Sequence, residues 1–376
     1  MSAFPRHSGG GNTVFCFDPN SCKVLGHGAF GRVYAAKGRS PSNRNPILHE
    51  TAAIKAIEKR NEVDRDRARN ESDILARLQG HPNIVRMSGV IEDDRMTYII
   101  MERCPGGNLA EVLDCFRFQH TPEAVLKEIA LQVLNAIRHC RDSQVVHGDV
   151  KPENFCSMER MGDVYDFRNS EFFRPWTIKV IDMGSAQTFD KLLDARLRGL
   201  KRMKGTPLYM SPEVLIPSRR QTNESDVWSL GVMLFFLATR VYPFGEVDSV
   251  AEGEDGKDGG PILCPSSSFE PLQVAHHSHP MMRHPHHQRL IMNASFSGVR
   301  RMILHRPIEL GPLAEKVFLD RDYSPQFMDF VQSCLKFDVE DRMTIDESQE
   351  HPWLCTNTNT NTNFTKYGRR WSKPQI

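Results

Sequence analysis

No two of the chain's nine cysteines form a C-x-x-C pair, which excludes a structural zinc ribbon. The cysteines are scattered and odd in number, and the opening MSAFPRHSGGGNTVF has no basic-then-apolar leader. Reduced thiols in a cytoplasmic or nuclear compartment are therefore expected. Long apolar runs are also lacking. The longest, Leu230 to Ala238, falls far short of the roughly 20 residues that cross a bilayer, so it reads as a buried core helix and no membrane partner is expected. Neither sign of charge is in excess: Lys+Arg number 48 against 47 Asp+Glu, for a formal charge of +1. That balance gives no electrostatic reason to expect nucleic acid. There is no long-period repeat and no D-x-D-x-D-G calcium loop. The composition is otherwise that of an ordinary globular protein, 376 residues with 39% hydrophobic and 25% charged, enough for one large bilobal domain or two smaller ones.

Residues 1–12 are Gly/Ser-rich, and a disordered segment is expected over 1–19. From Val24 to Glu102 the pattern is mainly strands. SCKVLGHGAFGRVYAAKG reads as a hairpin, TAAIKAI and RMTYIIME as further strands. Glu62 to Gln79 carries Val63, Ile74, Leu75 and Leu78 on a charged background, which predicts an amphipathic helix ending at Gly80. Cys104-Pro105-Gly106-Gly107 reads as a linker. Beyond Asn108 the chain turns helical, with a broad apolar stripe in AVLKEIALQVLNAIRHC, a strand TIKVID and a helix SDVWSLGVMLFFLA. Inserts are expected at 157–175 and 246–287, and TNTNTNTN at 356–363 is a low-complexity polar tract.

The spacing Gly26-His27-Gly28-Ala29-Phe30-Gly31 lets backbone N–H groups approach phosphate oxygens without interference from a Cβ. The same G-x-G-x-x-G also marks dinucleotide-binding folds, and Glu50 stands near the ribose-binding spacing of such a fold. The two readings differ in the element that comes after the glycines. A dinucleotide fold needs a helix there, whereas Arg32-Val33-Tyr34-Ala35-Ala36 suits a second strand. Lys55, inside the apolar Ala52-Ala53-Ile54-Lys55, favours the hairpin, because a lysine in an apolar strand is costly unless its ammonium meets anions. Glu71 offers a partner carboxylate. Taken alone it reads as a solvated helix charge, and Asp73 competes for the role.

The order of motifs continues with His147-Gly148-Asp149-Val150-Lys151-Pro152-Glu153-Asn154, Asp182-Met183-Gly184 and Gly205-Thr206-Pro207-Leu208-Tyr209-Met210-Ser211-Pro212-Glu213. On these residues the chain resembles the protein-kinase superfamily from about residue 22 to 354. A lysine two residues after the aspartate is similar to serine/threonine rather than tyrosine kinases. The texture of HPNIV, PGGNL and HPWL resembles the calcium/calmodulin-dependent-kinase-like group. The resemblance implies an α+β, two-lobed kinase fold, with a small β-rich lobe over about 20–103 and a larger, mainly helical lobe over about 108–354. A low-complexity tail would occupy 355–376. It also implies the roles. Asp149 would accept or orient the substrate hydroxyl proton, Lys151 would neutralise the transferring phosphoryl group, and Thr206 would brace both. Asn154 and Asp182 would hold Mg2+, with Mn2+ as an alternative. Leu25, Gly26, Gly28, Gly31, Val33, Ala53, Lys55, Glu71, Glu102, Cys104, Asn108 and Cys156 would surround ATP, with Met101 guarding the back of the pocket. Glu213 would pair with Arg342, and Asp226 would anchor the catalytic-loop backbone.

The chain also departs from the family. Gly148 stands where an arginine usually contacts an activation-loop phosphate. From Phe189 to Gly205 there is no Ser, Thr or Tyr. That stretch instead carries Lys191, Arg196, Arg198, Lys201, Arg202 and Lys204, which either attract acidic substrates or form a solvated charged loop. Loop phosphorylation is therefore not expected as the switch. Asn108 replaces a glutamate that in relatives touches ribose and basic substrates, while Glu153 remains available to a substrate arginine. The histidine cluster between His276 and His287 reads as a flexible insert or a metal site, and Lys366 to Trp371 as a basic aromatic tail faintly like a calmodulin target. The partner implied is a protein with a Ser or Thr acceptor, with a regulatory protein left open and a monomer expected. Two rivals stand beside this reading: a scaffolding pseudokinase, and a small-molecule kinase on the same fold.

Overall fold

The β-branched and small residues between Val14 and Glu102 pair into one antiparallel sheet. Its strands are β1 (Val14–Cys16), β2 (Val24–Gly28), β3 (Gly31–Arg39), β4 (His49–Glu58), β5 (Met87–Glu92) and β6 (Met96–Glu102). Their order is β1-β3-β4-β6-β5, with β2 also paired to β3. The computed structural model describes residues 14–16, 22–28, 31–39, 49–111, 116, 121–165, 176–197, 205–216, 221–240, 242–243, 300, 303 and 323–355. The His-rich 246–287 stretch, the polar tract at 356–363, the basic tail, and Arg198, Lys201, Arg202 and Lys204 all lie outside those residues. β2 pairs antiparallel with β3, with His27 opposite Arg32 and Gly28 opposite Gly31, so the glycines flank a hairpin and a strand, not a helix, comes after them. This removes the dinucleotide-fold alternative and any ribose role for Glu50, which pairs with Lys37 in the sheet.

Side chains alternate across a strand, and β4 sorts its residues accordingly. Ala52, Ile54 and Ala56 join Tyr34, Ala36 and Ile100 on one face. Ile57 on the other face joins the main core together with Ile99 and Met101. Lys55 shares that second face, lying opposite Ile99 in the register, as Ala53 lies opposite Met101. Helix α1 (Glu62–Arg77) packs beside this sheet. The Asn61 side chain caps it by accepting from the Asp64 N–H at 3.0 Å, with acidic residues in the first turn to complement the helix dipole. Ile74, Leu75 and Leu78 are buried as the periodicity predicts, but Val63 is exposed. Val63 lies in the first turn, ahead of the stretch where α1 buries its residues.

The larger lobe is organised by α2 (Glu123–Asp142) and α6 (Asn223–Thr239). Between them the chain forms β7 (Val145–Val146), β8 (Phe155–Ser157), α3 (Met161–Val164), β9 (Ile178–Val180), β10 (Gln187–Thr188), α4 (Phe189–Leu197) and α5 (Pro212–Leu215). After α6 come α7 (Pro325–Cys334), α8 (Ile345–Glu350) and α9 (Pro352–Cys355). Two segments differ from the sequence expectation. The start of the expected 157–175 insert belongs to the fold, because Ser157 closes β8 and Val164 and Tyr165 enter the core. The activation segment also opens as helix α4, not as a loop.

Beyond its polar first turn, helix α6 is apolar on nearly every side and buried from Ser225 to Thr239, as a central core helix must be. Gly231 lets α7 approach it: a Cβ there would lie 2.6 Å from the Cys334 Cβ and 3.1 Å from Leu335. The closer neighbour, the Cys334 Cβ, is fixed to the α7 backbone and cannot turn away. Gly231→Val should therefore destabilise the protein by about 1–3 kcal/mol through overpacking. Urea unfolding measures this, and an unchanged midpoint would show that α7 can move aside.

Candidate active site

Three elements bring the first charged cluster together. The Lys55 Nζ on β4 lies 2.5 Å from Glu71 Oε1 on α1 and 2.9 Å from Asp182 Oδ1 beyond β9. Lys55 is 2% exposed. Burial disfavours its charge, but the Asp182 and Glu71 carboxylates outweigh burial and hold the ammonium protonated. Burial, opposed by Lys55 and reinforced by Asp182, pushes the Glu71 carboxyl up to about 7. Asp182 goes the other way. Burial would raise it, yet the Lys55 charge and the Gly184 N–H, 2.7 Å from Oδ1, bring it to about 2. With a depressed value, Asp182's contribution to stability is complete above the ordinary carboxylate range and is lost only as pH falls through about 2.

The catalytic-loop motif is held from beneath by Asp226 in the first turns of α6. Its buried carboxylate accepts from the His147 N–H at 2.9 Å and the Gly148 N–H at 2.8 Å. Burial pushes this carboxyl up to about 6, against the pull of His147 and those two N–H groups. Asp149 then receives a donor on every side. Its Oδ1 accepts from the Thr206 N–H and Oγ–H, each at 2.8 Å. Its Oδ2 takes Lys151 Nζ at 2.9 Å and Asn154 Nδ2 at 3.0 Å. Lys151 also donates to Thr206 Oγ1 at 2.6 Å, so the three residues named from the motifs form one closed triangle.

The ribbon of β8 and β9 places Asn154 beside Asp182, because the Ile181 N–H donates to the Asn154 carbonyl at 3.0 Å. The hydrogen bonds of the Asn154 side chain leave from Nδ2, and those of Asp182 fall on Oδ1. Asn154 Oδ1 and Asp182 Oδ2 thus make no bond among the described residues. One carboxylate and one amide oxygen suit a small hard divalent cation that completes its shell with phosphate and water oxygens. No cluster of three His, Cys, Asp or Glu among the described residues could hold a metal through protein ligands alone.

Above this floor stands the hairpin. Leu25, Gly26 and Gly28 lie on β2, Gly31 and Val33 on β3, and Val33 pairs with Lys55. Ala53 and the buried Met101 face each other across β4 and β6. Glu102 ends β6 with its N–H bonded to the Arg86 carbonyl and its carboxylate 2.8 Å from Lys179 Nζ. Cys104 and Cys156 are partly buried, and burial pushes both thiols up. Asn108 bridges Cys156 through the backbone, but its side chain is engaged within its own turn. Its Oδ1 accepts from the Glu111 N–H at 3.0 Å, and its Nδ2 donates to Glu111 Oε1 at 3.3 Å. The carboxylate nearest this edge is therefore Glu111, a residue the motif reading passed over.

Two further arrangements were not legible in the motifs. Gly148 has φ of +76°, and a Cβ there would collide with Gln221 Nε2. Asn70, beside Glu71 on α1, is buried and bonded to the segment after Asp182. Elsewhere Glu213 and Arg342 pair at 2.7 Å, both almost fully buried.

The model of the protein kinase domain matches residues 20–354. The chain is 33% identical over 223 residues to calcium-dependent protein kinase 6 of Plasmodium berghei, covering 59% of this chain and 13% of that protein. It is 30% identical over 259 residues to calcium-dependent protein kinase 33 of Arabidopsis thaliana, covering 66% and 44%. It is 30% identical over 223 residues to the serine/threonine-protein kinase Nek5 of mouse, covering 59% and 31%. In each case the match spans less than half of the curated relative's length. A match over nearly the whole described chain, on a fold that brings the strand lysine, the Asp182 turn and the catalytic loop together, places this protein in the protein kinase family.

Proposed function

We propose that the protein is an ATP-dependent serine/threonine protein kinase. The observation that carries this reading is the convergence of Asp149, Lys151 and Thr206 in one hydrogen-bonded triangle beside the Lys55–Glu71–Asp182 cluster. The hydroxyl oxygen of a protein Ser or Thr forms a bond to the γ-phosphorus of ATP as the bond from that phosphorus to the β,γ-bridging oxygen breaks, and ADP leaves. Asp149 orients the attacking hydroxyl and receives its proton. Lys151 meets the charge on the transferring group, and Lys55, aligned by Glu71, meets the phosphates that stay with the nucleotide. Asp182 Oδ2 and Asn154 Oδ1 would hold Mg2+, or Mn2+ in its place. Such an ion supplies neutralisation of phosphate charge when bound. The hairpin glycines cover the phosphates, and Val33, Ala53 and Cys156 enclose the adenine. Glu102 and Cys104 offer it backbone bonds, and Leu25 and Asn108 close the outer edge.

Activation-segment phosphorylation is not the switch in this reading. Gly148 cannot reach a phosphate, and Gln221 fills the space that a side chain at 148 would enter. Thr206 is held by direct bonds to Asp149 and Lys151.

The test is transfer of radiolabel from ATP to generic protein substrates by wild type, Asp149→Ala and Asp182→Ala. Transfer by wild type alone supports the kinase. No transfer by any form supports a scaffolding pseudokinase, and transfer only to small molecules supports the other rival. A stoichiometric activation-segment phosphate required for activity, read by mass spectrometry, would overturn the statement about the switch.

A further inference from the structure

Asn70 lies inside α1, where asparagine is disfavoured because its amide competes with the helical backbone. It is 7% exposed. A buried amide needs partners off its own helix, and Asn70 has two. Nδ2 donates to the Ala186 carbonyl at 2.9 Å, and Oδ1 accepts from Lys191 Nζ at 2.6 Å. Chemistry alone sets this orientation, since a carbonyl can only accept and an ammonium can only donate. Ala186 ends a turn that begins at Met183, its N–H bonded to the Met183 carbonyl at 3.1 Å. Glu71, the next residue of α1, binds Lys55, which in turn binds Asp182 just ahead of that turn. Neighbouring side chains of one helix therefore hold the turn from both sides, Asn70 directly at Ala186 and Glu71 through Lys55 at Asp182. Lys191, in the first turn of α4, reaches back to the same amide from the activation segment.

We propose that Asn70 is a positioning residue which, together with Lys191, clamps α1 to the Asp182 turn and to the start of the activation segment. This rests on the kinase reading above, in which no segment phosphate does that work. The clamp acts through Glu71, because displacing α1 by about 1 Å would misalign the Lys55 ammonium. Lys191 then takes the part a segment phosphate would otherwise play: a charge-assisted contact between segment and helix, made by a residue already cationic.

Three variants of the full, phosphatase-treated chain test it by hydrogen exchange. Lys191→Met removes the ammonium from an exposed helix position. Asn70→Asp keeps the shape and still accepts from Lys191, but sets an oxygen against the Ala186 carbonyl. Lys191→Arg keeps a cationic donor. In the first two, amides of α1 and of residues 183–188 should exchange about five- to tenfold faster, with α2 and α6 unchanged. In the third, exchange should stay close to wild type. With a protein substrate, kcat should fall at least about tenfold in the first two while KM holds. Unchanged exchange in Lys191→Met and Asn70→Asp overturns the clamp. So does faster exchange throughout the protein, which marks ordinary loss of stability. Exchange needs no phosphotransfer, so an inactive wild type would defeat the kinase reading while the clamp is still decided.

Discussion

Asp149→Asn should lower turnover by about 10²–10⁴-fold while ATP affinity is preserved. The carboxylate is surrounded by donors only: the Thr206 N–H and hydroxyl on one oxygen, Lys151 and Asn154 on the other. An amide cannot present two acceptors, so its NH2 must face one of these donor pairs, and the side chain turns away from the acceptor hydroxyl. It also loses the capacity to receive a proton. Lys55, Glu71 and Asp182 are untouched, which is why nucleotide binding should survive. Single-turnover transfer at saturating ATP measures the effect. A loss smaller than about tenfold would remove Asp149 from the proton-handling role.

The second large effect is on stability. Arg342→Ala or Glu213→Ala should each cost about 3–5 kcal/mol, because either leaves one unpaired charge in the interior. The pair is bidentate, at 2.7 and 3.0 Å, and the two side chains are 0% and 1% exposed. Replacing both partners with apolar residues often restores stability at such sites. Here it should do so only in part. Arg342 also donates to the carbonyls of Glu224 at 3.0 Å, Lys336 at 3.0 Å and Phe337 at 3.3 Å, and lies 5.0 Å from the centre of the Trp228 ring. Glu213→Leu with Arg342→Met strands those carbonyls and should remain about 1–3 kcal/mol below wild type. Urea unfolding of the two single variants and the double decides it. Single variants costing less than about 1 kcal/mol would mean that water reaches the pair.

Those predictions use residues whose types and spacing were readable from the chain. Asp149, Lys151, Asn154, Asp182 and Thr206 stand in motifs because proton handling and charge neutralisation allow few substitutes. Lys55 was readable for a related reason, since a lysine inside an apolar strand needs a nearby anion. Periodicity located α1, α2, α6 and most strands. It misplaced Val63, because the helical stripe says which residues share a face but not how far along the helix that face is covered. It also left β1, β5, β7 and β10 unread, and took 189–197 for a loop where α4 forms.

Asn108 shows the same limit from another side. What its side chain touches within the protein is the Glu111 N–H of its own turn, a local cap that its place in the motif did not announce. Gly148 could be read as the loss of an arginine. That its backbone is left-handed, with Gln221 filling the space beside it, depends on a residue far along the chain.

The order of the phosphate-handling motifs and the residue types in them were therefore set out in the chain itself, and the two-lobed fold came with the resemblance those motifs carry. The motifs rest on what phosphoryl chemistry permits, and the separate helices and strands on local periodicity. Long-range packing alone settled which carboxylates meet Lys55, that Asn70 grips the Asp182 turn, and that Lys191 closes the clamp. Asn70 and Lys191 stand 121 positions apart, and a hydrogen bond over such a separation leaves no local trace in the pattern of residues on either side.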